Sequence, residues 1–287
     1  MKKLKITVCI FFVLSCIIFG IYFFKTQLTK DSTPPTISFD KETISISVKA
    51  TEKDLLKGVT ALDKEDGNIT DSIRISSMSH FISKGKRKIT YIVFDKSNNV
   101  TTATRELIYT DYISPRIYAK HPFRYTTEEM QKMNKMQGMT AEDCIDGNLT
   151  NQIRRVYSGN SYDTFGTEKI ALTLQVNNSM GDVCSIPVEI SVINDEEQDK
   201  YYPLLSEYIV YTKVGKPVSP TTYLKGISYG NMEYSLAEAA KLGVQSNKIT
   251  VKSNVDYNKP GVYTNEYTCK AKSGVETITK QYVVVEE

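Results

Sequence analysis

The sequence predicts an all-β fold of three consecutive two-layer β-sandwiches that follow an N-terminal transmembrane helix. Three observations predict it. The chain begins with a long uncharged apolar run, a ten-residue motif recurs 80 positions further along, and short segments alternate polar and apolar residues between polar turns. A length of 287 residues accommodates two or three domains of ordinary size.

The N-terminal run predicts export of the chain. Nineteen uncharged residues extend from Ile6 to Phe24 behind three early lysines. As a helix they span about 28 Å, close to the thickness of a bilayer core, and the lysines predict a cytoplasmic N-terminus with the later domains outside. The length and the missing A-x-A site favour an uncleaved anchor. A lipoprotein signal, for which Val13–Cys16 resembles a lipobox, and a conventional cleaved signal are the alternatives.

The net charge argues against a nucleic-acid partner. Residues 1–30 carry five lysines and no acid, so residues 31–287 hold 31 basic and 33 acidic residues. No basic excess is left that would attract a polyanion.

Two blocks recur in the same order, which predicts an internal repeat. Residues 61–70 return as residues 141–150 in the pattern A-x-D-x-x-D-G-N-[IL]-T, and Gly85-x-x-Lys88-Ile89 returns at residues 166–170. A third unit begins near Tyr201, after a polar linker, and lacks the D-G-N block. Residues 1–30 are predicted to comprise a cytoplasmic tip, a membrane anchor (6–24) and a spacer. Three domains are predicted to follow, at 31–111, 112–197 and 198–287.

Alternation of period two within these units predicts β-strands. It occurs at 43–48, 88–94 and 170–176, and polar turns at 96–99, 179–182 and 272–274 predict hairpins. Two short helices are predicted beside the strands, because capping patterns begin at Thr126 and Ser235.

The motifs of the first unit resemble a known family. D-x-E-D-G-N-I-T at 63–70, followed by G-x-x-x-I-T-Y-x-V-x-D-x-x-x-N at 85–99, looks like the bacterial immunoglobulin-like domains first noted in pesticidal crystal proteins, and it is similar to HYR domains. The resemblance covers the first unit fully, the second well and the third distantly. It implies tandem immunoglobulin-like β-sandwiches on surface or secreted proteins of Gram-positive bacteria, where such domains act as spacers, adhesion modules or accessories to carbohydrate-active proteins.

In an immunoglobulin-like sandwich, the D-G-N loop and the hairpin that carries Asp95 leave at the same end. The sequence therefore predicts that Asp63, Glu65, Asp66 and Asp95 converge, and hard oxygen ligands of this kind suit Ca²⁺. The alternative is a tight turn whose carboxylates cap backbone N–H groups. Replacement of Asp95 by Asn178 in the second repeat favours this alternative.

Cys144 and Cys184 map to one end of the second predicted domain. A disulfide between them is reasonable outside the cell, and two buried free thiols are the alternative. Cys269 is predicted to be a small buried residue on a strand.

Methionine and tyrosine clusters predict packing more readily than ligand binding. Four methionines recur every three residues from Met130 to Met139, which favours packing against the sandwich over a copper site. Seven tyrosines lie between 201 and 234; half-buried filler is favoured over stacking on sugar rings.

The chain shows no signature of catalysis. His80 and His121 lie in different repeats, and no G-x-S-x-G, H-E-x-x-H or P-loop motif occurs. The predicted function is a non-enzymatic, membrane-anchored extracellular protein whose repeats serve adhesion, spacing or protein interaction with a surface protein or cell-wall glycan. Alternatives are a carbohydrate-binding accessory protein and a structural subunit of a surface assembly.

Overall fold

A computed structural model of the chain describes residues 2–28, 31–132, 138–162, 168–194, 200–230, 232–244, 248–270 and 274–287. Strands make up 51% of the chain and helices 18%, so the predicted all-β class is confirmed. The chain forms two compact units, residues 1–112 and 113–287.

The N-terminal segment is one continuous helix, α1 (Lys2–Leu28). Its residues Ile6–Lys25 are apolar and long enough to cross a membrane, and none of them is buried inside the structure. A signal sequence can have the same length and composition, so the helix is a candidate membrane span.

The first sandwich pairs a three-stranded sheet, ordered β1-β3-β4, with a four-stranded sheet, ordered β2-β7-β6-β5. Strand β2 runs parallel to β7, and the other pairs are antiparallel. The chain passes from the three-stranded sheet at β1 to the four-stranded sheet at β2, so both sheets pack on one core. The elements are β1 (Thr36–Phe39), β2 (Thr43–Ile46), α2 (Glu52–Leu55), β3 (Val59–Asp63), β4 (Gly67–Asn68), β5 (Arg74–Met78), β6 (Lys86–Phe94) and β7 (Val100–Tyr109).

Alternation along β6 places the core of this sandwich. Ile89, Tyr91 and Val93 are fully buried, whereas Thr90 and Ile92 between them are half-buried and Lys88 before them is exposed. Leu107 on β7 is also fully buried and packs in the same cluster. The period-two pattern read from the sequence is therefore the inward and outward alternation of a sheet with one buried face.

The second sandwich repeats this topology strand for strand. Its sheets are ordered β11-β10-β8 and β12-β13-β14-β9, and β9 runs parallel to β14 as β2 does to β7. The elements are β8 (Arg116–Ala119), β9 (Arg124–Thr126), α3 (Thr127–Lys132), β10 (Met139–Asp143), β11 (Gly147–Asn148), β12 (Arg154–Tyr162), β13 (Glu168–Asn177) and β14 (Val183–Ile193).

The third sandwich also pairs a three-stranded with a four-stranded sheet, ordered β15-β17-β18 and β16-β21-β20-β19, with β16 parallel to β21. The elements are β15 (Tyr202–Leu205), β16 (Ile209–Lys213), β17 (Leu224–Tyr229), β18 (Met232–Ser235), α4 (Leu236–Lys241), β19 (Ile249–Ser253), β20 (Gly261–Lys270) and β21 (Glu276–Glu286). The predicted turn at 272–274 lies largely outside the described residues.

Both short helices begin at the predicted capping residues. The Thr126 side chain accepts a hydrogen bond from Glu129 N at 3.1 Å, and Glu129 Oε2 accepts one from Thr126 N at 2.7 Å. Ser235 and Glu238 make the same reciprocal pair at the start of α4. Each pair satisfies backbone donors that the first helical turn leaves free.

The buried residues of the second and third sandwiches form one continuous hydrophobic cluster, whereas the first sandwich has its own. Ile117 and Phe123 from the second sandwich join Leu205, Tyr208 and Tyr282 from the third in this cluster. Residues 113–287 therefore form one compact unit. The predicted boundary at 197–198 lies outside the described residues, and the three-domain division stays a prediction.

Candidate functional site

The repeated ten-residue motif forms the same loop in the first two sandwiches. In the first, β3 ends at Asp63, whose Oδ1 accepts hydrogen bonds from the backbone N–H groups of Glu65 and Asp66, both at 2.8 Å. Gly67 closes the turn at a φ of 71°, where a side chain would be strained. The Asp63 carboxylate therefore has a structural role in the turn.

The remaining letters of the motif hold the loop to its strand. Asn68 Oδ1 accepts a hydrogen bond from Thr70 N at 3.0 Å, and Thr70 Oγ1 accepts one from Ala61 N at 3.1 Å. The same two bonds recur in the second sandwich at 2.9 and 3.1 Å. Asp63, Asn68 and Thr70 therefore each satisfy a backbone donor of the loop or of the strand that leads into it.

Asp66 joins this loop to the hairpin between β6 and β7. Its Oδ2 accepts a hydrogen bond from Lys96 N at 2.8 Å, and this bond holds the pKa of Asp66 below its usual range. Lys96 Nζ also lies 3.0 Å from Asp66 Oδ1. Because the Lys96 side chain is 85% exposed, this ion pair adds little stability.

Asp95 begins the hairpin turn and connects it to the segment before β1. Its Oδ1 accepts a hydrogen bond from Asn99 N and its Oδ2 one from Asn99 Nδ2, both at 2.7 Å. The Asn99 amide group also donates to the carbonyl oxygen of Asp31 at 3.1 Å. The hairpin thereby places Asp31 beside the loop.

Asp31 is held by its own neighbour. Its Oδ1 accepts hydrogen bonds from Thr33 N at 2.9 Å and from Thr33 Oγ1 at 2.5 Å, and these bonds lower the pKa of Asp31. The carboxyl group is therefore ionised at neutral pH.

Three buried carboxylates meet at this end of the first sandwich. Asp31, Asp63 and Asp95 are 6%, 8% and 6% exposed, and one oxygen of each lies within 4.8 Å of the others. Asp63 Oδ2 is buried and has no hydrogen-bond partner among the residues that the structure describes. Three hard oxygen ligands of this kind are suited to a divalent cation.

The structure brings together only part of the set that the sequence predicts. Asp63 and Asp95 lie in the trio, Glu65 is exposed and contributes its backbone N–H to the turn, and Asp66 is engaged by Lys96.

The sequence interpretation missed Asp31, which lies at the start of the first predicted domain, before β1. One signal was available, since Asp31 precedes Asp111 by the repeat offset of 80 that also relates Pro35 to Pro115. The structure gives Asp111 a different role, because its carboxylate accepts hydrogen bonds from Ser47 Oγ and Val48 N.

The second sandwich contains the same loop pair with a neutral group in place of Asp95. Asp143 Oδ1 accepts hydrogen bonds from Ile145 N at 2.8 Å and Asp146 N at 2.9 Å, as Asp63 does in its turn. Asp143 Oδ2 accepts a hydrogen bond from Asn178 Nδ2 at 3.1 Å. Here an amide donor satisfies the oxygen that stays without a partner in the first sandwich.

Cys144 and Cys184 are separate thiols with different partners in the structure. Cys144 Sγ donates to Ile113 O at 3.1 Å, and Cys184 Sγ lies 3.8 Å from the hydroxyl oxygen of Tyr211. Burial raises the pKa of the Cys184 thiol, which makes it a poor nucleophile. The predicted disulfide stays a prediction. Cys269, on β20, is 1% exposed.

Of the four methionines in the predicted run, the structure describes Met130 and Met139, and both pack in the second sandwich. Met139 is 6% exposed, and Met130 is half-buried against the shared cluster. Met133 and Met136 lie outside the described residues.

None of the seven tyrosines between 201 and 234 is exposed, and Tyr202, Tyr208 and Tyr211 take part in the contact between the second and third sandwiches. The Tyr211 hydroxyl donates to Ile117 O at 3.0 Å and accepts from Ile117 N at 2.8 Å. Tyr208 N donates to Ala119 O at 2.8 Å. Burial raises the pKa of Tyr211 far above its usual value, because ionisation would place a charge inside this contact.

Charged residues complete the same contact. Arg116 makes a bidentate pair with Glu286 at 2.5 and 3.2 Å, with 25% and 13% of the two side chains exposed. The Arg124 guanidinium lies 3.5 Å from the ring centroid of Tyr202. Polar and apolar contacts together join these two sandwiches.

No family model matches the chain, and no curated protein is similar to it in sequence. Among solved structures, the INT domains and GlcNAc-bound CBM51-2 of Clostridium perfringens ZmpB are 26% identical, over 50% of this chain and 29% of that one, with a TM-score of 0.23. A Bacteroides thetaiotaomicron lipoprotein is 11% identical over 86% of this chain and 98% of its own length, with a TM-score of 0.20. Drosophila N-cadherin EC1-4 is 11% identical over 89% and 67%, with a TM-score of 0.21.

This chain spans less than a third of the length of the two ZmpB chains, 29% and 31%. At TM-scores near 0.2, no argument about function follows from these likenesses. The sheets themselves define the class: tandem immunoglobulin-like β-sandwiches behind one apolar helix.

Proposed function

We propose that the protein is a membrane-anchored extracellular protein whose immunoglobulin-like sandwiches serve as non-enzymatic spacer or protein-interaction modules. One observation carries the proposal. The segment Ile6–Lys25 is helical, long and apolar enough to cross a membrane, and none of it is buried in the structure, which supports a lipid environment for its side chains. The lysines that precede it favour a cytoplasmic N-terminus, with the sandwiches outside.

The compact unit of residues 113–287 supports a spacing or presenting role. Its two sandwiches share a core, so they present their outer surfaces in a fixed arrangement. We assign the three sandwiches to the predicted domains 31–111, 112–197 and 198–287 and to the bacterial immunoglobulin-like family that the first repeat resembles. The partner is a surface protein or cell-wall glycan whose identity the sequence does not give.

Membrane fractionation of the full chain in a bacterial host tests the proposal. The chain should stay in the membrane pellet after alkaline carbonate extraction, and protease added to intact spheroplasts should digest residues 31–287. Leu14→Arg should release it, because a charge at the centre of a span costs about 3 kcal/mol. Recovery of the wild-type chain in the soluble fraction, or protection of residues 31–287 from external protease, would contradict the proposal.

Intact mass distinguishes the forms of anchoring. An uncleaved anchor gives the mass of the whole chain, whereas a lipoprotein or a cleaved signal gives a shorter product. Cys16→Ala is the control for lipid attachment: for an uncleaved anchor it should change the intact mass only by the substitution itself and leave membrane retention unchanged.

A further inference from the structure

One oxygen of Asp63 is buried without a partner. Oδ2 receives no hydrogen bond from any described residue, and Asp63 as a whole is 8% exposed. Its other oxygen, Oδ1, holds the turn through two backbone N–H groups, so the carboxylate cannot rotate toward solvent without breaking that turn. A buried carboxylate oxygen in this position requires a donor or a cation.

The second sandwich shows which way this oxygen faces. Asp143 makes the same two bonds with Oδ1, and its Oδ2 meets the side-chain amide of Asn178. Since Asp95 occupies the place of Asn178 in the repeat, Asp63 Oδ2 faces a carboxylate in the first sandwich. An ionised carboxylate has no proton to donate, so the two groups repel each other unless a positive charge lies between them.

We infer that the first sandwich binds one Ca²⁺ ion through the carboxylates of Asp31, Asp63 and Asp95. Their nearest oxygens lie within 4.8 Å of one another, and all three residues are buried. Calcium accepts irregular sets of oxygen ligands and bidentate carboxylates. Magnesium instead demands octahedral geometry and keeps several waters, which an enclosed carboxylate trio does not favour.

The site goes beyond the proposed function, because binding does not depend on the membrane topology. Its position gives the ion a structural task. It would connect the segment before β1, the loop after β3 and the hairpin after β6, which Asn99 and Lys96 already bring together by hydrogen bonds. Extracellular calcium modules bind with dissociation constants of about 0.1–1 mM, and we expect this range here.

Calorimetric titration with CaCl₂ tests the inference on the full chain, purified in detergent and stripped with chelator. The wild type should bind Ca²⁺, and about 5 mM Ca²⁺ should raise the melting temperature of the first transition by about 5 °C. Mg²⁺ at the same concentration should have a smaller effect. Asp31→Asn and Asp95→Asn should each weaken binding by about tenfold or more, because each removes one charged ligand.

Two further measurements separate a metal site from a merely structural role. Asp95→Asn puts an amide where the second sandwich has Asn178, so this variant should fold while losing its response to Ca²⁺. Glu65→Gln is the matched control, since Glu65 belongs to the same loop but is exposed, and it should bind as the wild type does.

Two results would overturn the inference. One is a wild type that binds no Ca²⁺ and melts identically in chelator and in calcium. Another is equal loss of binding in Glu65→Gln and Asp95→Asn, which would place the ion elsewhere in the loop.

Discussion

The first and second sandwiches have the same topology and the same pair of loops, but their buried polar groups face different partners. In the second, Asp143 meets the amide of Asn178; in the first, Asp63 faces the carboxylate of Asp95. The shared D-G-N motif therefore builds the loop in both copies, and one residue outside the motif sets its charge. A repeat motif identifies the scaffold, and the residue that departs from the repeat identifies the candidate site.

A second difference lies inside the two cores. Arg105 is 2% exposed in the first sandwich, where its guanidinium donates to Leu55 O, Lys57 O and the Tyr91 hydroxyl at 2.8–2.9 Å. On the corresponding strands of the second sandwich, β13 and β14, Leu174 takes the place of Tyr91 and Val188 that of Arg105. Both are buried. The first sandwich encloses a charge where the second has an apolar pair.

Arg105→Ala should therefore have the largest effect. It leaves Lys57 O and the Tyr91 hydroxyl oxygen without their donor, whereas Leu55 O keeps the hydrogen bond from the Tyr91 hydroxyl. We expect a loss of about 3–5 kcal/mol in the free energy of unfolding of the first sandwich. Denaturant unfolding followed by circular dichroism measures it. Lys88→Ala, on the exposed face of β6, is the control and should cost less than about 0.5 kcal/mol.

Tyr211→Phe should weaken the contact between the second and third sandwiches. The change removes the hydroxyl that binds both backbone groups of Ile117, and leaving these buried groups unpaired costs about 1–3 kcal/mol. The transition of residues 113–287 should melt at a lower temperature while that of the first sandwich stays constant. Tyr229→Phe is the control and should have no measurable effect, because no hydrogen bond of its hydroxyl is found among the described residues.

Alkaline pH should destabilise residues 113–287 through Tyr125. Burial raises the pKa of Tyr125 to about 12, and its hydroxyl has no hydrogen-bond partner among the described residues. Because the folded-state pKa lies above the unfolded value near 10, this contribution to stability is complete below pH 10 and is lost as the pH rises toward 12. At pH 11 the loss is about 1 kcal/mol. Tyr125→Phe should remove this part of the pH dependence, and an unchanged pH profile in that variant would exclude Tyr125 as the cause.

Asp66→Asn should have the smallest effect. The amide oxygen can still accept the hydrogen bond from Lys96 N, so only the exposed ion pair is lost, which is worth less than about 1 kcal/mol. Thermal melting at neutral pH checks this. A larger loss of stability would mean that the charge of Asp66 also acts on the buried carboxylates of Asp31, Asp63 and Asp95.

The sequence predicted the architecture because periodicity and repeats are local signals. Alternation along β6 and β13 and the turn chemistry of the D-G-N loop depend on neighbouring residues, and the structure has both. The convergence of Asp63 and Asp95 followed from the immunoglobulin-like topology, which places the two loops at one end.

The remaining parts depend on packing that no local pattern encodes. Asp31 lies before the first strand, where the sequence has no periodicity, and the hydrogen bond from the Asn99 side chain brings it to the loop. Glu65 and Asp63 are both acidic, but one faces solvent because the turn directs only its backbone N–H inward. The tyrosines were interpreted as filler, and their role in joining two sandwiches became visible only when both surfaces were placed together.

The stoichiometry of bound calcium tests the comparison between the two sandwiches most directly. Equilibrium dialysis of the full chain against radioactive Ca²⁺ should give one ion per wild-type chain and none in Asp95→Asn at the same free concentration. Two ions per chain would mean that the Asn178 loop binds as well as the Asp95 loop, and no bound ion would mean that the carboxylate trio needs no cation; either result would contradict the account.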